Sequence, residues 1–393
     1  MKTQGFAKKS LIALAVVGAF SGSAFAADSV QLYGIIDVGV GHFTGIAPSN
    51  ASAAPGSTAS YTGLMSGVVA GSRIGLKGTE DLGGGLSAFF KAETGFCPAG
   101  NNQTGTGTSG YCTGGGFMGR TTMLGLKGGF GTVQMGRYFT SMFNNEINYD
   151  PFEAGFTGAY SNFSLGINGL NGNAVGALLR SNQTITYITP NFGGLTARAD
   201  YSFNTGSATG PINTAGNKQT MWSLDGNYAI GAATVGANYT KVSNITANAQ
   251  GATTGAYKVW QAFGSYDLGV AKLMGIYERG TADFYTGNDS SWLLGTTVPL
   301  GGGALMASYG QYTSNLSQAA SLSKSTAKQY AIGYSYNLSK RTMLYTSYAH
   351  INNESAAANR LGTALAVNTA TNGNAGVTGQ GSSGFAVGIL HSF

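Results

Sequence analysis

Charge is scarce in this chain: 9% of its 393 residues are Asp, Glu, Lys or Arg, against about 25% in an ordinary soluble protein. Yet it has no compensating long apolar run. The best candidate, residues 11–20, stops at Ser21 and Gly22, short of the about 20 residues that cross ~30 Å of hydrocarbon. Reactive side chains are few as well. There are two cysteines and three histidines, His42, His350 and His391, and no GxSxG, HExxH or CxxC motif, so the usual acyl-transfer, zinc and redox constellations are absent. The string GTGTSG at 105–110 fits GxGxxG, but it lies in a polar stretch with no helix after it to receive a phosphate. No catalytic set, metal site or cofactor is expected. Nucleic acid is also excluded as a partner, because no basic stripe exists.

What is present begins with a leader. Lys2, Lys8 and Lys9 precede the apolar run, and Ala24-Phe25-Ala26 follows it; this is the layout of a secretory signal peptide over residues 1–26. Its removal takes away three basic side chains and lowers the formal charge from +6 to +3. The mature region, 27–393, is rich in Gly (64), Tyr (21) and Phe (20). Low charge without apolar runs is what strands produce when they alternate lipid-facing and lumen-facing residues.

Period two is explicit from Val30 to Val40, where the even positions are mostly apolar and the odd ones mixed. Short Gly-bearing or polar turns recur at 81–85, 128–131, 191–194, 230–232, 267–269, 299–303 and 337–341, alternating with longer polar connections. Seven tight turns make seven hairpins, and a first and a last strand bring the total to 16. The final strand, GFAVGILHSF, sets Phe385, Val387, Ile389, His391 and Phe393 on one face; a chain ending inside a strand is expected to close a sheet. The predicted fold is therefore all-β: a 16-stranded antiparallel transmembrane β-barrel with short periplasmic turns and long external loops. At that width side chains do not fill the interior. Aromatics near strand ends, Tyr228, Tyr239, Trp260, Tyr266, Trp292, Tyr334 and Tyr336, fit interfacial girdles and disfavour a soluble sandwich.

Segments 42–70, 95–119, 203–218, 242–256, 313–327 and 352–383 are read as external loops. The connection at 139–180 is the longest, and it carries Phe143, Phe152, Phe156, Tyr160, Phe163 and Leu165. Leaving these in water would be costly, so this third loop is expected to fold into the barrel and constrict it.

Several blocks resemble the general diffusion porins of Gram-negative outer membranes, of the neisserial and Burkholderia type. They are VQLYGIIDVGV, SRIGLKGTEDLGGGLSAFFKAETGF (72–96), GRTTMLGLKGGFGTVQMGRYF (119–139), GYSYNLSKRTMLYTSYAHI (333–351) and the aromatic terminal strand. The resemblance implies a homotrimer in outer-membrane lipid, each barrel passing small hydrophilic solutes and ions passively. It also implies basic residues on the wall, Arg73, Arg120 and Arg180, opposite acids of the third loop, Glu146, Asp150 and Glu153. A lumen wall bearing Arg73, Lys77, Arg180 and Arg120 would focus a positive potential that the loop acids oppose, so a mild anion preference is expected.

Parity puts Arg73 and Arg180 on the lumen side. Arg120, by contrast, shares parity with Leu124 and Leu126, and Arg137 with Val133 and Met135, so a bulge or a position beyond the apolar band is required for both. Cys97 and Cys112 fall in one external loop of an exported chain. A disulfide is expected there, closing a loop worth ~3 kcal/mol on the chain-entropy model; a metal site would have only half its ligands. A sugar-selective channel, a barrel enzyme and an adhesin are the alternatives.

Overall fold

The computed structural model describes residues 29–46, 58–99, 117–165, 178–205, 218–246, 254–283, 285–315, 325–354 and 379–393. The leader, Cys112 and parts of the expected external loops lie outside these. Seventeen strand segments form one antiparallel sheet. The first eight are β1 (Ser29–Ile46), β2 (Ala59–Ser66), β3 (Arg73–Gly83), β4 (Leu86–Gly95), β5 (Thr121–Gly128), β6 (Gly131–Phe139), β7 (Arg180–Ile188) and β8 (Leu195–Ser202). Then follow β9 (Thr220–Ile230), β10 (Ala233–Thr246), β11 (Thr254–Asp267), β12 (Lys272–Ala282), β13 (Asp289–Leu300), β14 (Gly303–Ser314), β15 (Ser325–Asn337), β16 (Thr342–Asn353) and β17 (Ser382–Ser392). Among the described residues one α-helix, α1 (Ser141–Tyr149), follows β6.

Seventeen segments make sixteen staves, because β2 and β3 share one position. Residues 38–46 of β1 pair with β2, and residues 29–35 pair with β3. Asp37 stands at the interruption, fully buried. Its Oδ2 accepts from the backbone N–H of Val69 at 2.7 Å and of Ala70 at 2.8 Å, and its Oδ1 accepts from the Tyr345 hydroxyl at 2.6 Å. The carboxylate thus supplies acceptors to backbone donors that have left the ladder.

The ring closes where β17 pairs with β1, from Ile35 opposite Ser392 to Thr44 opposite Ser383. Gly34 and Phe393 extend that ladder, exchanging N–H···O bonds at 3.0 and 3.1 Å. A Cβ on Gly34 would sit 2.2 Å from the Phe393 ring, so the glycine is what lets the terminal aromatic lie across the seam. Closure leaves no strand edge facing hydrocarbon.

The seven predicted tight turns are the seven hairpin links, and they gather at one end of the barrel. Outward residues are large and apolar, among them Leu32, Leu124, Leu224 and Leu294, all exposed. No helix among the described residues is long and apolar enough to span a membrane; the strands do so. Toward the long-loop ends a row of outward aromatics runs through Trp222, Tyr239, Trp260, Tyr277, Trp292, Tyr309, Tyr330 and Tyr348, with ring contacts of 5.0 Å (Trp222–Tyr239) and 4.4 Å (Tyr239–Trp260). Tyr228, Tyr266, Tyr334 and Tyr336 form its counterpart toward the short turns.

The seam generates a test. Gly34→Val should force the Phe393 ring away and cost about 1–3 kcal/mol by overpacking, seen as a lower melting temperature of the folded barrel. Gly34→Val with Phe393→Ala should cost less than the two single changes added together. Strict additivity would show that the ring and residue 34 do not meet.

Candidate functional site

The lumen has two unlike halves. One is filled by the third loop, whose residues 140–165 run inside the barrel. Thr140 caps α1, its hydroxyl accepting from Phe143 N–H at 3.2 Å. The helix then lays Met142, Phe143, Asn145, Glu146 and Tyr149 in buried positions against the wall. Ser141 donates to Asp200 at 3.0 Å, Asn145 to Asp225 at 2.6 Å and to Gln261 at 2.9 Å. Beyond the helix the loop crosses to the β2–β3 interruption, where Phe156 N–H donates to Val68 O at 2.6 Å. Its way back is pinned by Thr157 to Ser347 (2.8 Å), Tyr160 to Ser291 (2.6 Å), Asn162 to Gln329 (2.9 Å) and Leu165 N–H to Glu278 (2.7 Å). Phe152, Phe156, Tyr160 and Phe163 are buried in this contact, which is where the apolar residues of the loop go.

The other half is the lumen face of β3 to β8, and it is basic. On β4, Lys91 and Glu93 alternate with outward Phe90 and Ala92. Glu93 is the hub: Arg120 Nε donates to its Oε1 at 2.9 Å, Lys91 lies at 3.4 Å, Arg73 at 3.9 Å, and the Tyr33 hydroxyl donates to Oε2 at 2.9 Å. Lys77 is the cross-strand partner of Lys91, and both ammonium groups stand over the Tyr33 ring, 5.4 and 5.5 Å from its centre. Arg73, Lys77, Lys91 and Arg120 against one carboxylate leave three positive charges on this patch. Farther round, Arg180 covers the Phe139 ring at 4.0 Å, and Arg198 bonds Asp200 at 2.8 Å and the Phe139 carbonyl at 3.1 Å.

Strand parity does not decide where Arg120 points. It precedes the ladder of β5, so strand alternation does not govern it: Arg120 and Thr121 are consecutive and both buried, and Arg120 N–H bonds Glu93 O at 3.1 Å. Arg137 follows the alternative explanation. A bulge between Gly136, at φ +139°, and Tyr138 shifts the register, and the guanidinium bonds Gly119 O at 2.6 Å and the Asn182 side chain near the long-loop rim.

The loop acids are not where the resemblance implied. Glu146 and Asp150 are buried and turned away from the basic wall. Asp150 organises the loop itself, accepting backbone N–H bonds from Phe152 (3.0 Å), Ala154 (3.1 Å) and Tyr160 (2.8 Å). Glu146 lies on the docked face of α1 beside Glu278 of β12. Glu153 is exposed, at φ +52°, and borders a cavity of about 530 Å³ with Lys272 and Asp267 near the β11–β12 turn. For Glu146 the reason is helical periodicity, since nothing in the loop sequence says which face of α1 meets the wall. Lys91, Glu93, Tyr33 and Arg198 were missed, although the alternation in FFKAETGF carried the signal for two of them. Cys97 is disulfide-bonded.

A closed sixteen-stave barrel with an apolar exterior, two aromatic rows and a polar lumen narrowed by an inward loop is an outer-membrane channel. The sequence profile of the Gram-negative porin family matches residues 13–356, and the chain belongs to that family: it is an outer-membrane porin, a passive diffusion channel. It is 33% identical over 392 residues to outer membrane porin protein 32 of Delftia acidovorans, covering 98% of this chain and 100% of that one. The anion-selective porin from Comamonas acidovorans superposes with a TM-score of 0.73 at 28% identity, over 93% of this chain and 100% of that one. A trimer form of OmpT from Vibrio cholerae shares the fold, with a TM-score of 0.63 at 14% identity over 93% of this chain and 100% of that one.

Burial raises the pKa of Asp150 to about 7, and burial with the facing Glu278 raises that of Glu146 well above the ordinary value. Both carboxylates hold protons more tightly in the docked loop than they would in water. Docking should therefore be strongest in acid and weaken as pH rises from about 4, with the Asp150 contribution fully lost above about 7 and the Glu146 loss continuing beyond. Hydrogen-exchange protection of residues 141–149, corrected for intrinsic rates, should be lower at alkaline pH than at acid pH. Glu146→Gln should flatten that dependence, and a pH-independent wild type would contradict it.

Proposed function

We propose that this porin passes small hydrophilic solutes through an eyelet bounded by the third loop on one side and by Arg73, Lys77, Lys91 and Arg120 on the other, with a mild preference for anions. The observation that carries the proposal is the net excess of three positive charges around Glu93 on the wall that the loop leaves uncovered. Low-dielectric walls focus such a field and raise the local anion concentration. Arg180 and Arg198 continue the basic lining. The similar porin from Comamonas acidovorans is anion-selective, which points the same way. In this reading Glu146 and Asp150 hold the loop in place, and Glu153 is the loop acid left to water at the periplasmic side.

Reversal potentials in a KCl gradient across planar bilayers test this. The wild type should show an anion-preferring sign that weakens at high salt. Lys77→Gln with Lys91→Gln should shift it toward cations while single-channel openings persist. A cation-preferring wild type would refute the proposal.

The mature chain is proposed to begin after the leader, residues 1–26, and to carry a Cys97–Cys112 bond across its second external loop. Its assembly is proposed to be a homotrimer, joined through the outward face of β1 to β7. Support comes from the aromatic row, which ends there: among the described residues no Trp or Tyr faces outward near the long-loop ends of those strands, and His42 bonds Thr62 there at 2.6 Å. A face that meets protein rather than lipid headgroups needs no such row. Ala92→Trp, outward on β4, should lower the trimer mass found by light scattering in mild detergent, whereas Ala307→Trp on β14 should leave it intact. Equal behaviour of the two variants would remove the assignment.

A further inference from the structure

On the lipid-facing surface, near the long-loop ends of β10, β11 and β12, three cations gather that the channel does not use. Alternation with Val235 and Tyr239 turns Lys241 outward, alternation with Trp260 and Tyr266 does so for Lys258, and alternation with Leu273 and Tyr277 for Arg279. Register brings them together: Lys241 is the direct cross-strand partner of Lys258, and Arg279 that of Trp260. Like charges placed opposite each other on one face of an antiparallel pair are destabilising. Asp283 offsets part of this, its Oδ1 accepting from Lys258 Nζ at 2.7 Å. Two positive charges remain.

Height in the membrane decides what could neutralise them. Lys241, Lys258 and Arg279 sit at and just beyond the row of Trp222, Tyr239, Trp260, Tyr277 and Trp292, and such rows mark the boundary between acyl chains and headgroups. A ligand here has an apolar body lying on the aromatic rings and an anionic head at the cations. Lys328 on β15 provides the contrast. It also faces outward beyond the aromatic row, but Glu354 pairs with it one to one at 3.0 Å.

We propose that the outer face of β10 to β12 is a docking site for a phosphorylated lipid headgroup of the outer leaflet, its phosphate held by Lys241, Lys258 and Arg279 and its acyl chains packed on Trp222, Tyr239 and Trp260. The inference extends the outer-membrane placement and is independent of ion selectivity, because these residues lie on the opposite side of the wall from the lumen.

Native mass spectrometry of the detergent-purified full porin tests it, with bisphosphorylated lipid A as the probe, dephosphorylated lipid A as the uncharged comparison and inorganic phosphate as competitor. Wild type should retain the bisphosphorylated lipid, and Lys241→Gln/Lys258→Gln/Arg279→Gln should bind it roughly tenfold more weakly or worse. Lys328→Gln should bind as wild type does. Unchanged single-channel conductance in the triple variant shows that the barrel has folded. Equal retention by the triple variant, or equal binding of the dephosphorylated lipid, would overturn the proposal. Full displacement by stoichiometric inorganic phosphate would overturn the lipid assignment and leave a simple phosphate site.

Discussion

Every backbone donor and acceptor that crosses hydrocarbon must find its partner within the protein, and the rest of this structure follows from that constraint. It forces the sheet to close, so β17 must return to β1, and the seam between them must be as complete as any other pair of staves. Completeness shows in small details. Gly34 accommodates the terminal Phe393 ring at the seam, and Asp37 supplies acceptors where the second stave breaks between β2 and β3. Once closed, the barrel has an inside that water can occupy, and the side chains pointing inward no longer need to be apolar.

The third loop uses that freedom. It is held by a combination that would be poor in a soluble core, with aromatic packing interleaved with buried carboxylates such as Asp150, Glu146 and Glu278. Asp150 is well satisfied by three backbone donors, whereas Glu146 faces a second buried carboxyl group, Glu278, so the two resist being ionised together. Filling one half of the lumen this way leaves the other half, β3 to β8, to define the opening. In the proposed reading solutes meet the basic cluster around Glu93, while Asp150 and Glu146 hold the loop.

Much of the architecture was legible because its periods are short. Alternation along β1, the seven tight turns and the aromatics near strand ends each depend on residues close together in sequence, and together they yielded sixteen staves and the lumen side of Arg73 and Arg180. Alternation reaches its limit at two places. Arg120 lies one residue before the ladder of β5, so strand parity does not fix its side, and the side on which Glu146 lies depends on which face of α1 meets the wall.

The sequence by itself therefore determined a closed transmembrane barrel, its strand count, its two ends and the presence of a long loop too apolar for water, because alternation and turn chemistry are local and the bilayer admits few solutions. Only the tertiary structure decided which stave is broken, that Lys91 and Glu93 meet Arg73, Arg120 and Tyr33, that Lys241 lies opposite Lys258, and that Glu146 and Asp150 are buried. Those facts depend on register between strands and on the face a helix presents. Both are set by contacts between residues far apart in the chain, and so no local pattern records them.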